Sequence, residues 1–320
     1  MGPVGVSIGL GLKSSSLAGI EVLGTSGDRT ILNQGKKIGA FDTISSNLRS
    51  ALNGAGMVIL DTHFGETREI LEAIGPILEE GCVVTDTGTF KVKMMDWTQE
   101  YLPENVEFVG GRPIPKVWMK SIDDASPTAF QDAFYCIVAS NKVDQAALKS
   151  VIGLAEILGS KPLFLNEHEH DSYAAAATQL PILLSSTLVN SLSESPAWRE
   201  IAQLAGGEFA QISALASGNL NGLGAACLEN PEDLVRWIDQ IIENLLKCRD
   251  LVESGSEEMN EFFDRALDEW AKWKAGTIVK QQQEDLPGVG ETMSGFFFGR
   301  RVSKRFRGNF GNANSDDNRR

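Results

Sequence analysis

Two glycines near the start of the chain have the spacing of a phosphate-binding turn. Gly2 and Gly5 match the second and third glycines of the pattern G-x-G-x-x-G, and the segment VSIGLGLKSSSL after them is typical of the helix that follows such a turn. The N-terminus of a helix holds anions well because its first backbone N–H groups have no partner within the helix. The sequence therefore predicts that Gly2, Pro3, Val4 and Gly5 bind a dinucleotide.

The residues about twenty positions further on indicate which dinucleotide this is. A predicted strand ends in GTSGDR (24–29), where a dinucleotide-binding domain places the residue that contacts the adenine ribose. Thr25 and Ser26 carry small hydroxyls and Arg29 a cation, and this combination favours the 2′-phosphate of NADP. The alternative is that Asp28 binds the ribose hydroxyls and the cofactor is NAD.

The first half of the chain alternates short apolar runs with helical patterns. Strands are predicted at IEVLGTS (20–26), GMVILDT (56–62), GCVVTDTGT, VEFVGGRPIP, AFYCIVAS and KPLFLN, with helices between most of them. This alternation predicts βαβ units and a mostly parallel sheet covered on both faces. We therefore expect an α/β, Rossmann-type dinucleotide-binding domain over residues 1–166.

The second half has helical spacing of its apolar residues from about Glu167 to Trp273. An all-α domain is expected over residues 167–273, with the long apolar segment DSYAAAATQLPILLSSTLVNSL buried. Such helices often pack against a second subunit, so a homodimer is expected, with a monomeric helical domain as the alternative. Residues 274–320 are polar and rich in glycine, include the basic cluster RRVSKRFR, and are expected to be disordered.

Composition and charge exclude several classes of partner. The net charge of −14 argues against nucleic acid and against anionic membrane surfaces. No apolar run approaches the roughly 20 residues of a membrane span, and no signal peptide is visible. The four cysteines and three histidines have no metal-ligand spacing, so no metal site is expected. A cytoplasmic protein with reduced cysteines is predicted.

Five segments in order along residues 2–273 resemble the prephenate/arogenate dehydrogenases of tyrosine biosynthesis. They are the glycine loop GPVGVSIGLGLK, VTDTGTFK (similar to D-x-G-S-x-K), VEFVGGRPIP (similar to F-V-G-G-H-P), EHDSYAAAATQLPILLSSTLVNSL (similar to D-x-x-x-A-x-x-S-H-L-P) and GGEFAQISALASGN (similar to F-x-x-x-T-R-[IL]-A-x-S). The resemblance implies a Rossmann-type domain followed by a helical dimerisation domain. It also places Thr62 and His63 at the edge of the cofactor, although a surface loop is an alternative position for His63.

The resemblance implies an oxidative decarboxylation in which a hydride passes to the nicotinamide. In the family pattern a histidine of G-G-H-P accepts the hydroxyl proton, and an arginine of the helical domain binds a substrate carboxylate. Here Arg112 replaces that histidine and Ala214 that arginine. Thr178 and Gln179 stand at the S-H pair, and Thr89 keeps the hydroxyl of the D-x-G-S serine.

Three residues are therefore candidates for catalytic positions: Thr89, Arg112 and Gln179. Arginine stays protonated near neutral pH and is a poor general base. Arg112 is instead expected to bind a small anionic substrate together with Lys116, and a purely structural ion pair of Arg112 is the alternative. The predicted function is an NAD(P)-dependent dehydrogenase of the prephenate/arogenate type. An oxidoreductase acting on another small anion, and a nucleotide-binding protein without turnover, are the alternatives.

The glycine pattern lacks its first glycine and the strand that normally precedes it. If Met1 is the residue between the first two glycines, the reading frame extends upstream and supplies a short N-terminal strand. That strand is expected to occupy the centre of the parallel sheet. Its absence is expected to leave neighbouring strands without ladder hydrogen bonds.

Overall fold

The computed structural model describes residues 1–16, 19–217 and 223–278. Strands and helices alternate through the first half, as predicted. The helices are α1 (Pro3–Ser14), α2 (Arg29–Lys37), α3 (Leu48–Leu52), α4 (Phe64–Ile74), α5 (Val92–Tyr101) and α6 (Gln145–Ile157). The strands are β1 (Leu23–Thr25), β2 (Thr43–Ser45), β3 (Met57–Leu60), β4 (Val83–Asp86), β5 (Glu107–Pro113), β6 (Phe134–Ala139) and β7 (Lys161–Phe164).

The strands of the described residues form two sheets. Strands β1 and β2 make a parallel pair, and the other five lie in the order β3-β4-β5-β6-β7. Every neighbouring pair in the larger sheet is parallel except β5 and β6. The mostly parallel α/β architecture predicted from the sequence is confirmed.

Helix α1 joins the two sheets. Val6 on one side of α1 packs with Ala40 and Phe41 beside the β1–β2 pair. Ile8 on the other side belongs to the main core, together with residues of β4 and β5 such as Val109. Strands β1 and β3 are not hydrogen-bonded to each other. The upstream strand expected for the centre of the sheet stays a prediction.

Two short elements were absent from the sequence prediction. Strand β2 is three residues long and α3 is five. Both are too short to show a periodic spacing of apolar residues in the sequence. Helix α3 forms because Asn47 caps it, accepting a hydrogen bond from Ser50 N at 3.0 Å. Strand β2 is held by parallel pairing with β1, which a local pattern does not reveal.

The second half is helical, as predicted. Its α-helices are α7 (Glu167–Ala174), α8 (Leu180–Ser193), α9 (Trp198–Leu204), α10 (Gly207–Ser213), α11 (Leu223–Glu229), α12 (Pro231–Ser254) and α13 (Glu258–Lys274). A π-helical turn, Ala175–Gln179, connects α7 to α8, and a 3₁₀ turn, Ala214–Ser217, follows α10.

The expectation that the long apolar segment is buried is wrong for the single chain. Leu180 and Ser185 are buried, but Tyr173 and Leu184 are exposed. The reason is geometric: within one chain, neighbouring helices cover only part of the α7–α8 surface.

The remaining sequence expectations concern membranes, cysteines and the C-terminus. No helix within the described ranges has both the length and the apolarity to cross a membrane. Cys82, Cys136, Cys227 and Cys248 are free thiols. The predicted disordered tail lies, from residue 279 onward, outside the described residues.

Candidate active site

A buried ion pair lies where strand β4 ends. Lys91 is fully buried, and its Nζ donates to Asp86 Oδ2 and to the carbonyl oxygen of Gly88, both at 2.7 Å. The other oxygen of Asp86 accepts from Gly111 N of β5 at 3.0 Å. Burial lowers the pKa of the Lys91 ammonium, and the charge of Asp86 opposes that effect. The buried charged pair therefore holds the loop between β4 and α5 against β5.

Asp171 of α7 joins the helical half to this loop. Its two carboxylate oxygens accept from Lys91 N at 2.7 Å and from Val92 N at 3.0 Å, the first backbone donors of α5. Lys91 is the N-cap of α5 and provides no side-chain cap of its own. A carboxylate at this position satisfies free N–H groups and the positive end of the helix dipole. The cap of an α/β-domain helix thus comes from the helical domain.

His170 lies beside Asp171 in the same buried cluster. Its ring is buried, and Nδ1 donates to Asp171 Oδ1 at 2.8 Å. Burial lowers the pKa of His170, while the hydrogen bond to Asp171 partly opposes the shift. The ring is therefore neutral near pH 7, and Nε2 is an acceptor without a hydrogen-bond partner among the described residues.

Arg112 is the second cation of the cluster and reaches across to the helical half. Its Nη2 donates to Thr178 Oγ1 at 2.6 Å. Within the described part of the chain, no carboxylate lies within 4 Å of its guanidinium nitrogens, so the expected alternative of a structural ion pair receives no support. Burial lowers the pKa of Arg112, yet a guanidinium remains protonated near neutral pH. Its positive charge is consequently available to an anionic ligand. Lys116, expected to act with Arg112, instead lies 3.9 Å from Asp132.

The π-helical turn brings two of the predicted residues to this cluster. Thr178 accepts from Arg112, and Gln179 is 2% exposed with an Oε1 that has no partner among the described residues. Such turns add a residue to a helix and re-aim side chains, and they recur at functional sites. Gly111 lets strand β5 lie close to the side chain of Tyr135 on β6, because a Cβ at position 111 would be 2.7 Å from Tyr135 Oη.

Thr89 and Ala214 are the other two positions named from the family pattern. Thr89 is half-buried in the loop between β4 and α5, one residue from Gly88, whose carbonyl binds Lys91. Ala214 begins the 3₁₀ turn after α10, which is held to α8 by a hydrogen bond from Ala216 N to Ser185 Oγ at 3.0 Å.

The predicted glycine loop has the geometry of an anion site. Gly2 is the N-cap of α1 and Pro3 its first residue, while Val4 packs against the main core. Gly2 N and Gly5 N both donate to one carboxylate oxygen, Asp61 Oδ2, at 2.6 and 2.9 Å. Both N–H groups therefore point to one negative charge of the chain itself, and dinucleotide binding at this loop stays a prediction.

The residues predicted to contact the adenosine ribose lie at the end of β1. Thr25 ends the strand, and Ser26 Oγ accepts from Asp28 N at 3.2 Å. Asp28 caps α2 through Oδ1, which accepts from Thr30 N at 2.7 Å and is one of the two oxygens of the carboxylate on which the NAD alternative depends. Arg29 is exposed at the first position of α2.

The two residues expected at the cofactor edge follow β3. Thr62 Oγ1 shares a hydrogen bond with Thr67 Oγ1 at 2.7 Å. His63 is an exposed residue that precedes α4 and provides no side-chain cap. The roles of both residues stay predictions.

Sequence reasoning did not select five of the side chains that make contacts here: Asp61, Asp86, Lys91, His170 and Asp171. All except Asp61 stand within the segments that resemble the family, and that was the available signal. The three histidines have no metal-ligand spacing in the sequence, and the described residues contain no group of three or more side chains that could hold a metal ion. Asp61 directly follows the apolar run of β3, at the strand end where ligand-binding residues collect in parallel sheets.

Comparison with known families now identifies the fold. A family model described as prephenate dehydrogenase, nucleotide-binding domain, matches residues 8–163. A second, described as prephenate dehydrogenase, dimerization domain, matches residues 166–269. The chain belongs to the prephenate dehydrogenase family. The first match begins after the glycine loop, so Gly2 and Gly5 lie outside it.

Individual members of the family are similar over most of the chain. A prephenate dehydrogenase of Bacillus subtilis is 25% identical over 271 residues, which cover 84% of this chain and 73% of that protein. A cyclohexadienyl dehydrogenase of Zymomonas mobilis is 22% identical over 257 residues, covering 77% of this chain and 87% of that protein. These oxidoreductases agree with the predicted enzyme class.

Solved structures of the family share the fold. The prephenate dehydrogenase of Aquifex aeolicus, crystallised with hydroxyphenyl propionate and NAD+, superposes with a TM-score of 0.76 at 22% identity, covering 85% of this chain and 95% of that one. An arogenate dehydrogenase of Synechocystis gives a TM-score of 0.68 at 20% identity, with 85% and 97% covered. The predicted order of a nucleotide-binding domain and a helical dimerisation domain is thereby confirmed.

The buried neutral His170 makes stability depend on pH. Its pKa in the folded chain lies below the ordinary value of 6.5, so the unfolded chain takes up a proton at a higher pH than the folded one. The free energy of unfolding therefore decreases as the pH falls below about 6.5. We expect His170→Gln to show a smaller decrease between about pH 7 and about pH 5.5, measured by urea denaturation. His63→Gln, which changes an exposed histidine, is the control, and equal pH dependence in the two variants contradicts the prediction.

Proposed function

We propose that this chain is an NAD(P)-dependent oxidoreductase that acts on an anionic ring substrate of the prephenate and arogenate class. The observation that carries the proposal is Arg112, a partly buried cation held by Thr178, with no carboxylate within 4 Å among the described residues. Prephenate and arogenate both carry carboxylates, and a guanidinium binds a carboxylate through two parallel hydrogen bonds. Family membership supports the reaction class.

The cofactor, when bound, supplies the nicotinamide that accepts a hydride. The chain's own residues fit an anionic group at α1, where Gly2 N and Gly5 N point toward one position. Residue 112, as the resemblance implies, lies beside the reacting ring. There Arg112 binds the substrate carboxylate that the family's arginine binds from the position of Ala214.

Each neighbour of Arg112 has a separate task in this proposal. Thr178 orients the guanidinium, and Thr89 orients the reacting group through its hydroxyl. Gln179 has a buried Oε1 that can accept a hydrogen bond from the substrate. The Lys91–Asp86 pair holds the loop that carries Thr89 against β5.

Steady-state kinetics on prephenate and arogenate, with each nicotinamide cofactor, test the proposal. Arg112→Ala is expected to raise KM for the acidic substrate by about ten- to a hundredfold, because a charge-assisted hydrogen bond contributes about 1.5–3 kcal/mol. Cofactor affinity is expected to stay nearly unchanged. Arg112→Lys keeps the positive charge but cannot form two parallel hydrogen bonds to a carboxylate. Its KM should therefore lie between the values for wild type and Arg112→Ala.

Arg68→Ala is the matched control, since Arg68 is an exposed arginine that contacts Tyr101. It should leave KM unaltered. A wild-type enzyme that turns over prephenate well, with Arg112→Ala unchanged in KM, contradicts the role given to residue 112.

We infer that the preferred cofactor is NADP. Support comes from the exposed position of Arg29, which follows Thr25 and Ser26 closely along the chain, and from the use of Asp28 Oδ1 as the cap of α2. A free carboxylate at this place would favour the ribose hydroxyls of NAD.

Arg29→Ala is expected to weaken NADP binding by about tenfold or more and to change NAD binding little, because only NADP has a 2′-phosphate. Isothermal titration calorimetry with both cofactors measures this difference. Lys37→Ala, at the exposed far end of α2, is the control. Equal losses for NAD and NADP would show that Arg29 does not contact the 2′-phosphate.

We also infer a homodimer formed through the helical half. Helix α13 exposes Phe263, Leu267 and Trp270 at helical spacing, and α12 exposes Ile242 and Leu245. Apolar surface of this extent marks an association site. The match of residues 166–269 to a dimerisation domain supports the same conclusion.

The wild-type chain is expected to sediment as a dimer at micromolar concentration. Leu267→Glu should shift it toward monomer, because a charge in an apolar interface loses its hydration without a partner. Arg265→Ala, a change in an exposed polar residue of the same helix, should remain dimeric. A wild-type monomer in this measurement counts against the inference.

A nucleotide-binding protein without turnover is the second candidate function. The observation that favours it is the arginine at position 112, where the family pattern has a proton-accepting histidine. Cofactor binding without turnover of prephenate, arogenate or related acids would support this candidate over the dehydrogenase.

A further inference from the structure

The glycine loop of α1 already binds a carboxylate that belongs to the chain. Asp61 Oδ2 accepts from Gly2 N at 2.6 Å and from Gly5 N at 2.9 Å. Asp61 Oδ1 accepts from the hydroxyl of Thr87 at 2.8 Å. Asp61 stands directly after β3, so the end of one strand supplies the anion for a distant helix.

Among the described residues, neither the N-cap nor the first turn of α1 provides an anion. Gly2 has no side chain with which to cap it, and the first turn contains no acidic residue. The end of the helix dipole and the free N–H groups attract negative charge. In a dinucleotide-binding turn, those same donors bind the pyrophosphate.

The carboxylate leaves no space for a phosphate at these donors. A Cβ placed on Gly5 would lie 2.7 Å from Asp61 Oδ2 and 2.9 Å from Asp61 Cβ, so the side chain packs directly on the start of the helix. Two negative groups at this distance also repel each other strongly when partly shielded from water. The side chain and a cofactor phosphate therefore exclude each other.

We propose that Asp61 is an internal competitor of the dinucleotide. Its carboxylate holds the α1 donors in the free protein, and it must move away before a cofactor phosphate binds. Thr87 retains Asp61 at the loop, so binding of the cofactor breaks that hydrogen bond as well. This inference rests on the proposed NAD(P)-binding function, and it names the residue that limits the affinity of that site.

Three variants of the full chain separate charge from shape. Asp61→Asn keeps the size of the side chain and removes its charge, and Asp61→Ala removes the acceptor too. Asp96→Asn, which neutralises an exposed carboxylate on α5, is the matched control. Calorimetric titration with NADPH and with inorganic pyrophosphate measures binding affinity. Thermal unfolding without ligand measures how much Asp61 stabilises the protein as the cap of α1.

Both Asp61 variants are expected to bind NADPH and pyrophosphate at least about tenfold more tightly than wild type, a difference of about 1.4 kcal/mol. Asp96→Asn should bind as wild type does. Without ligand, Asp61→Ala should unfold at a lower temperature, because α1 loses the anion at its N-terminus.

The possible failures are distinguishable. If wild type and Asp61→Asn bind NADPH with equal affinity, the inference is wrong and the proposed function still stands. Tighter binding by the Asp61 variants without turnover of any candidate acid supports the inference and contradicts the proposed dehydrogenase. Absence of binding in every variant, for NADPH and pyrophosphate here and for NAD in the cofactor titrations, overturns both.

Discussion

The buried pair of Lys91 and Asp86 is the interaction on which the rest of the site depends. Asp86 receives the lysine on one oxygen and Gly111 N on the other, so one carboxylate holds the β4–α5 loop against β5. The backbone of Lys91 is in turn held by Asp171 of the helical half. Removing one partner of such a pair costs about 3–5 kcal/mol, because the remaining charge stays buried. These contacts therefore tie the β4–α5 loop both to β5 and to the helical half.

The hydrogen-bond partners in this cluster are distributed unevenly, and that makes it a candidate active site. Lys91 is paired with Asp86, and the carboxylate of Asp171 accepts hydrogen bonds from two backbone N–H groups and from His170. Arg112 has only a hydroxyl partner among the described side chains. The charges of Asp171 and Asp86 act on Arg112 from a distance, but neither carboxylate accepts a hydrogen bond from it among the described residues. The remaining donors of the guanidinium can therefore bind an anionic acceptor.

The glycine loop shows the opposite arrangement. Its donors are satisfied by Asp61, which provides the negative charge at the start of α1. Helix α1 also carries the contacts between the two sheets, through Val6 and Ile8. A change at the start of α1 is thus felt by both sheets, since protein interiors are too densely packed to absorb it locally.

The sequence by itself determined the βαβ alternation, the helical second half and the family, because apolar periodicity and short ordered motifs are local along the chain. It also placed Arg112, Gln179 and Gly5 among the candidates. Only the tertiary structure showed that Asp61 reaches Gly5, that Asp171 caps α5, and that Arg112 meets Thr178. These partners are 56, 80 and 66 residues apart for Gly5–Asp61, Lys91–Asp171 and Arg112–Thr178. Hydrogen bonds over such separations depend on how strands and helices pack, and no local pattern encodes that packing.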